Sequence, residues 1–65
     1  MHFIIAASVE DRYDIAVVLL RHGAKVNVED NQGQTPLMLA TYNGFVNLIE
    51  LFLQKNADIN VKTAV

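Results

Sequence analysis

The sequence predicts an all-α fold, a repeat solenoid of two stacked helix-turn-helix units with an extended turn between them. Three observations support this. The chain of 65 residues aligns with itself at an offset of 33, and apolar positions coincide almost throughout. Thr35 and Pro36 form a helix start before an apolar segment. A later segment repeats its apolar residues at helical spacing, which indicates a second, longer helix.

The offset aligns whole segments rather than isolated residues. His22–Val28 falls on Lys55–Val61, and Ala7 falls on Ala40. Few aligned residues are identical, yet they lie inside a matching apolar pattern. A fixed period of this length is typical of repeat architectures, in which each unit buries its apolar face on a neighbour.

The second unit has the clearer helix signals. The Thr35 side chain can accept an unpaired backbone N–H, and Pro36 fits the first helical position because its missing N–H is not needed there. Gly44 can end this helix in a left-handed conformation. A longer helix is predicted from Asn47 to Asn56, followed by an extended segment over 58–61. Leu48, Leu51, Phe52 and Lys55 have the i, i+3, i+4, i+7 spacing of one helical face, and Ile49 and Leu53 widen its apolar stripe.

The first unit repeats the pattern more loosely. Asp14 starts the longer helix, where the helix dipole favours a negative charge, and Gly23 ends it. One face of this helix contains Ile15, Val18, Leu19 and His22. Leu20 and its counterpart Leu53 are expected to face the inner helices. Asp30–Gly33 is a turn signal within an extended turn over 25–34.

These residues resemble the ankyrin repeat, whose pattern is D-x-x-G-x-T-P-L, a short helix, a longer apolar helix ending in L-L-x-x-G-A-D, and V-N. The matching residues here include Asp30, Gly33, Thr35, Pro36, Leu37, Ala40, Gly44, Leu48, Leu53, Ala57, Asp58, Ile59 and Asn60. The resemblance implies a first, N-terminally incomplete repeat over 1–29 and a second over 30–62. Residues 63–65 would begin a truncated third unit, so we expect a fragment of a longer array.

Composition excludes several kinds of protein. The chain is 52% hydrophobic and 18% charged, which argues against intrinsic disorder. Its net charge of −2 gives no basic field for nucleic acid or an anionic membrane surface. Without cysteine there is no disulfide, thiol nucleophile or Cys-based metal site. No apolar run is long enough to span a bilayer, and an intracellular location, cytoplasmic or nuclear, is expected.

No residue set points to catalysis, and neither a cofactor nor a metal is expected. His2 lies near the chain start, and His22 suits the negative end of a helix better than a role as base or ligand. Glu10, Asp11 and Asp14 could form an acid–base pair, but solvated loop acids and a helix start explain them better. We therefore expect that the chain is not an enzyme.

The predicted function is a non-catalytic protein–protein interaction module. The resemblance implies that turn tips and the inner-helix face contact a protein partner, with Tyr42 as the main anchor unless it packs on Val9. The predicted contact residues are Val9, Glu10, Glu29, Asn31, Gln32, Gln34, Tyr42, Asn43 and Lys62. Two alternatives stay open: a structural spacer within a longer ankyrin array, and an accessory segment of a larger enzyme.

Small size predicts self-association. A chain of 65 residues with no disulfide is expected to have a low free energy of unfolding, so apolar faces at unstacked repeat ends should be buried by association. We expect association through uncapped ends. We expect these ends to expose Phe3, Ile4 and Ile5 at one side and Phe52, Ile59 and Val61 near the other.

Overall fold

The computed structural model describes residues 2–55 and 57 of the chain. Over these residues the helices are α1 (Phe3–Val9), α2 (Tyr13–Arg21), α3 (Pro36–Asn43) and α4 (Val46–Gln54). No strand forms within the same residues, and the all-α prediction is confirmed. The predicted helix end at Asn56, the extended segment over 58–61 and the third unit over 63–65 lie outside the described residues.

The helices form two pairs that stack side by side. Helix α1 packs on α2 to form unit 1, and α3 packs on α4 to form unit 2. The units meet where α1 contacts α3 and α2 contacts α4. One apolar core runs through both units, and its buried members are Ile4, Ala7, Ala16, Val26, Leu37, Ala40, Leu48, Leu51 and Phe52.

Helix α3 begins and ends where the sequence predicts. Thr35 is its N-cap, and the Thr35 Oγ1 accepts the backbone N–H of Met38 at 3.2 Å. Pro36 occupies the first turn, and Gly44 ends the helix with a left-handed φ of 74°. Thr35 is buried, and the cap gives its hydroxyl oxygen a hydrogen-bond partner, so this polar atom is not left unpaired in the core.

The backbone repeats at the offset of 33 even where the residue type changes. Asp11 in unit 1 has a left-handed φ of 56°, and its counterpart is Gly44. Directly after each, the same bond closes the inner helix: Arg12 N–H to Ala7 O and Phe45 N–H to Ala40 O, both at 2.9 Å. Bonds of this kind satisfy carbonyls that a helix end leaves unpaired. The sharp turn between inner and outer helix is therefore the same in both units.

The prediction that Leu20 and Leu53 face the inner helices is wrong for Leu53, whose side chain is 45% exposed. Leu20 is only half-buried at the edge of the core. In α4 the buried residues are Leu48, Leu51 and Phe52. Each step along a helix turns the side chain by about 100°, so the residue after Phe52 leaves the i, i+3, i+4 stripe that meets the core.

The predicted apolar face of α2 is also not the buried one. Ile15, Val18 and His22 are exposed, and Leu19 is half-buried. The fully buried residue of α2 is Ala16, a position whose counterpart in unit 2 is Ile49. A small residue lets α2 approach its neighbours closely, and Val17, Leu19 and Leu20 pack partly buried at the edge of the core.

The residues assigned to unstacked ends need correction as well. Ile4, Ile5 and Phe52 are buried, whereas Phe3 is exposed. Helix α1 turns its second and third residues inward because it packs on both α2 and α3. Ile59 and Val61 lie outside the described residues.

Leu48→Ala and Leu53→Ala make a matched pair of truncations on one helix. Because Leu48 is fully buried, its truncation should lower the free energy of unfolding by about 2–5 kcal/mol. Leu53→Ala should cost only about 1 kcal/mol, since its side chain is already partly in water. Urea unfolding followed by circular dichroism, at one low protein concentration, measures both. Equal losses would contradict the assigned face of α4.

Gly44→Ala tests the left-handed turn without a steric complication, because an added Cβ would meet no atom within 4 Å. A left-handed alanine costs about 1–2 kcal/mol, partly offset by the lower entropy of its unfolded chain. We expect a net loss of about 1 kcal/mol in urea unfolding. The reverse change in unit 1, Asp11→Gly, should leave stability unchanged or raise it. A destabilised Asp11→Gly variant would show that Asp11 contributes more than its backbone conformation.

Candidate protein-binding surface

The predicted contact residues fall into two groups in the structure. Val9 and Glu10 lie at the end of α1, and Tyr42 and Asn43 lie at the corresponding end of α3. The second group is in the loop between α2 and α3, and its members are Glu29, Asn31, Gln32 and Gln34. Lys62 lies outside the described residues.

The ends of the inner helices form the first group. Tyr42 is 87% exposed, so its ring is not packed on Val9, which is itself exposed. The side-chain amide of Asn43 donates to the carbonyl of Leu39 at 2.9 Å, which ties that side chain to its own helix. Since α1 and α3 are packed together, the two helix ends present Val9, Glu10, Tyr42 and Asn43 on one side of the stack.

Asp30 organises the second group. Its Oδ1 accepts the backbone N–H groups of Gln32 and Gln34, each at 2.8 Å. The Asp30 N–H donates to the carbonyl of Gln34, and the Gly33 N–H donates to the carbonyl of Asp30. Gly33 has a left-handed φ of 78°. These bonds fix the loop backbone while Asn31 and Gln32 remain exposed at its tip.

The loop tip lies near the start of α1, away from Tyr42. A pocket of about 230 Å³ is lined by His2, Ile5, Glu29, Asp30 and Asn31. The rise of a helix puts the two ends of α1 roughly 10 Å apart along its axis. The structure therefore brings Glu29 and Asn31 together with His2, and it does not bring them together with the Tyr42 group.

Three pocket residues were missed by sequence reasoning. No sequence motif connects His2 with the loop residues of this pocket. Ile5 is expected from the sequence at an exposed end of the repeats, whereas in the structure it lines the pocket. Asp30 was identified as a turn residue, and that role brings it to the pocket wall.

The residues considered as candidates for catalysis lie at the ends of α2 and in the turn before it. His22 follows the last residue of α2, and its Nδ1 lies 3.0 Å from the carbonyl oxygen of Val18, within hydrogen-bonding distance. Asp14 is in the first turn of α2, and Glu10 and Asp11 are exposed in the turn before it. Among residues 2–55 and 57, no group of three or more His, Cys, Asp or Glu side chains could hold a metal ion.

The buried polar side chains of the described residues are all hydrogen-bonded, since every buried side-chain nitrogen or oxygen among them has a partner. Ser8 is an example, because its buried hydroxyl donates to the carbonyl of Ile4 at 2.7 Å. Within the described residues, none of the helices is both long and apolar enough to cross a bilayer.

Two stacked helical pairs, repeated at a fixed offset and exposing a polar loop and a tyrosine, define a helical repeat protein with an open surface. Residues 2–63 match the family model of ankyrin repeats, a model of three copies, and the chain belongs to the ankyrin repeat family. Ankyrin repeats are generally modules of protein–protein interaction, and the family is generally non-catalytic.

Curated relatives share the repeat. Human transient receptor potential cation channel subfamily A member 1 is 38% identical over 56 residues, which cover 86% of this chain and 5% of the relative. A fowlpox virus (strain NVSL) protein named as ankyrin repeat protein FPV243 is 44% identical over 48 residues, 74% of this chain and 18% of the relative. The chain thus spans less than a fifth of the length of these relatives.

Asp30→Ala should loosen the loop tip. The change removes the acceptor of two backbone N–H groups, and we expect a loss of about 1–2 kcal/mol in unfolding free energy. Asp30→Asn is the control, because its amide oxygen can accept the same bonds. Hydrogen exchange at the Gln32 and Gln34 amides should accelerate in the alanine variant and much less in the asparagine variant. Unchanged exchange in Asp30→Ala would show that the loop is fixed by other contacts.

Proposed function

We propose that the chain is a non-catalytic module that binds a protein partner with the inner-helix ends and the loop tip. The proposal rests above all on Tyr42, whose ring is almost entirely in water although the same helix buries Leu37, Leu39 and Ala40. At 87% exposure, this side chain contributes little to the packing of the core. A tyrosine has a large apolar face and a polar hydroxyl, and it is enriched among residues that dominate binding energies.

The neighbourhood of Tyr42 favours the same role. Val9 supplies a second exposed apolar side chain at the corresponding position of α1, and Glu10 and Asn43 add polar groups beside the two. An apolar centre with polar neighbours is the usual composition of a protein interface. Because the helices are held by the core, binding here would order few groups, which keeps the entropic cost of association low.

The loop tip would supply the polar part of the contact. Asn31 and Gln32 carry amide groups that can both donate and accept hydrogen bonds, and the Asp30 bonds hold their backbone in place. A partner surface that spans the length of the inner helices could contact both groups. The Tyr42 group would then provide most of the affinity, and the loop would contribute to specificity.

Tyr42→Ala tests the proposal, with Tyr13→Ala as the matched control on α2. Wild type and both variants are immobilised and exposed to an extract of the source cells, and bound proteins are quantified by mass spectrometry. A partner bound by wild type should be lost from Tyr42→Ala and kept by Tyr13→Ala. Titration of that purified partner should show a loss of about 2 kcal/mol or more for Tyr42→Ala, roughly 30-fold in affinity.

Stability measurements separate binding from folding in this experiment. Since Tyr42 is exposed, its truncation should change the unfolding free energy by no more than about 0.5 kcal/mol. A partner that binds Tyr42→Ala as tightly as wild type would refute the assigned surface. A partner lost from Tyr13→Ala alone would place the contact on the outer helices instead.

A further inference from the structure

The chain contains a single Asn-Gly pair, Asn43–Gly44, which lies at the exposed end of α3. Asn43 is the last residue of the helix, and Gly44 is its cap. The side-chain amide of an asparagine can be attacked by the main-chain nitrogen of the next residue. Glycine hinders this attack least, because it has no Cβ and a wide choice of backbone angles. The pair is therefore a candidate for spontaneous covalent change.

In the folded chain the two reacting groups are held apart. The Asn43 Nδ2 donates to the carbonyl oxygen of Leu39 at 2.9 Å. This bond directs the side chain toward the N-terminal end of α3, as helical side chains generally tilt, whereas the Gly44 nitrogen follows Asn43 in the chain. The Gly44 N–H donates to the carbonyl oxygen of Thr41 at 3.1 Å. The attack therefore requires that these bonds open first.

The end of α3 can open without unfolding the core. Residues 41–44 are exposed, whereas the buried side chains of α3 lie within 36–40. A helix end with few buried contacts opens at a lower free energy than the core does. The bond from the Phe45 N–H to the carbonyl of Ala40, at 2.9 Å, opposes this opening. Local opening, and not unfolding of the whole chain, is thus the step that exposes Asn43 to attack.

We propose that Asn43 is a deamidation site whose rate is controlled by opening of the α3 end, and that its products loosen that end. In the open state the Gly44 nitrogen loses its proton to solvent base and bonds to the Asn43 Cγ. The Cγ–Nδ2 bond breaks, and the amide nitrogen takes up a proton and leaves as ammonia. Water then cleaves either C–N bond of the cyclic imide. One cleavage gives aspartate, and the other gives isoaspartate, whose main chain runs through the former side chain.

Either product weakens the end of α3. A carboxylate at position 43 has no donor for the Leu39 carbonyl, and its negative charge lies at the helix C-terminus, where the helix dipole is also negative. Isoaspartate adds a methylene group to the main chain, which shifts the Gly44 and Phe45 N–H groups away from their acceptors. The reaction consumes one water and releases one ammonia. The inference concerns the chemistry of Asn43 and does not depend on whether Tyr42 binds a partner.

Peptide mapping by mass spectrometry at mildly alkaline pH measures the conversion. The chain is incubated folded in buffer and unfolded in guanidinium chloride. Asn31 and Asn47 are internal controls, because both are exposed but precede Gln32 and Leu48 instead of glycine. Labelling with an isoaspartyl methyltransferase separates isoaspartate from aspartate at position 43.

In the unfolded chain, Asn43 should convert at least about tenfold faster than either control, and Gly44→Ala should remove most of this difference. Folding should slow conversion at Asn43 by about tenfold or more, since only the open fraction reacts. Equal conversion at the three asparagines, or equal rates in the folded and unfolded chains, would overturn the proposal. So would a folded chain that keeps Asn43 intact over about a hundred half-lives of the unfolded chain, because only complete unfolding would then expose it.

Asn43→Asp is a stable form of one product and tests its effect on the helix end. Hydrogen exchange at the Gly44 and Phe45 amides should be roughly tenfold faster than in wild type. Asn47→Asp is the matched control, because it adds the same charge in the first turn of α4, where the helix dipole favours it. Exchange in this control should not accelerate. Unchanged exchange in Asn43→Asp, or equal acceleration in both variants, would overturn the proposed loosening of α3.

Discussion

The structure depends on the burial of one side of α4 against α3 of its own unit and α2 of unit 1. Leu48 and Phe52 are fully buried, and Leu51 is nearly so, although a helix pair alone covers only part of an outer helix, as the exposed Ile15 and Val18 of α2 show. Transfer of these side chains from water is the main favourable contribution to folding available to so short a chain. Unit 2 therefore completes its core with contacts from its neighbour.

Stacking of this kind requires the two helix pairs to have the same shape. The inner helix must reverse sharply into the outer one, and the reversal needs a left-handed residue in each unit. Glycine provides it at position 44 at no steric cost, and aspartate, one of the few other residues that tolerate this region, provides it at position 11. The repeated bonds to Ala7 and Ala40 then fix the same turn in both units.

The four helices and their order could be predicted from the sequence, because the residues that start and end them act locally. The Thr35 cap, Pro36 and the Gly44 stop each act within one turn of the chain. Burial was predicted less well, and α4 shows why. Opposite the polar side of Asn47, Glu50 and Gln54, the apolar stripe of this helix covers more than half of its circumference, so periodicity does not say which part is buried and the neighbouring elements decide it. The exposure of Tyr42 likewise depends on contacts between elements, which no local pattern encodes.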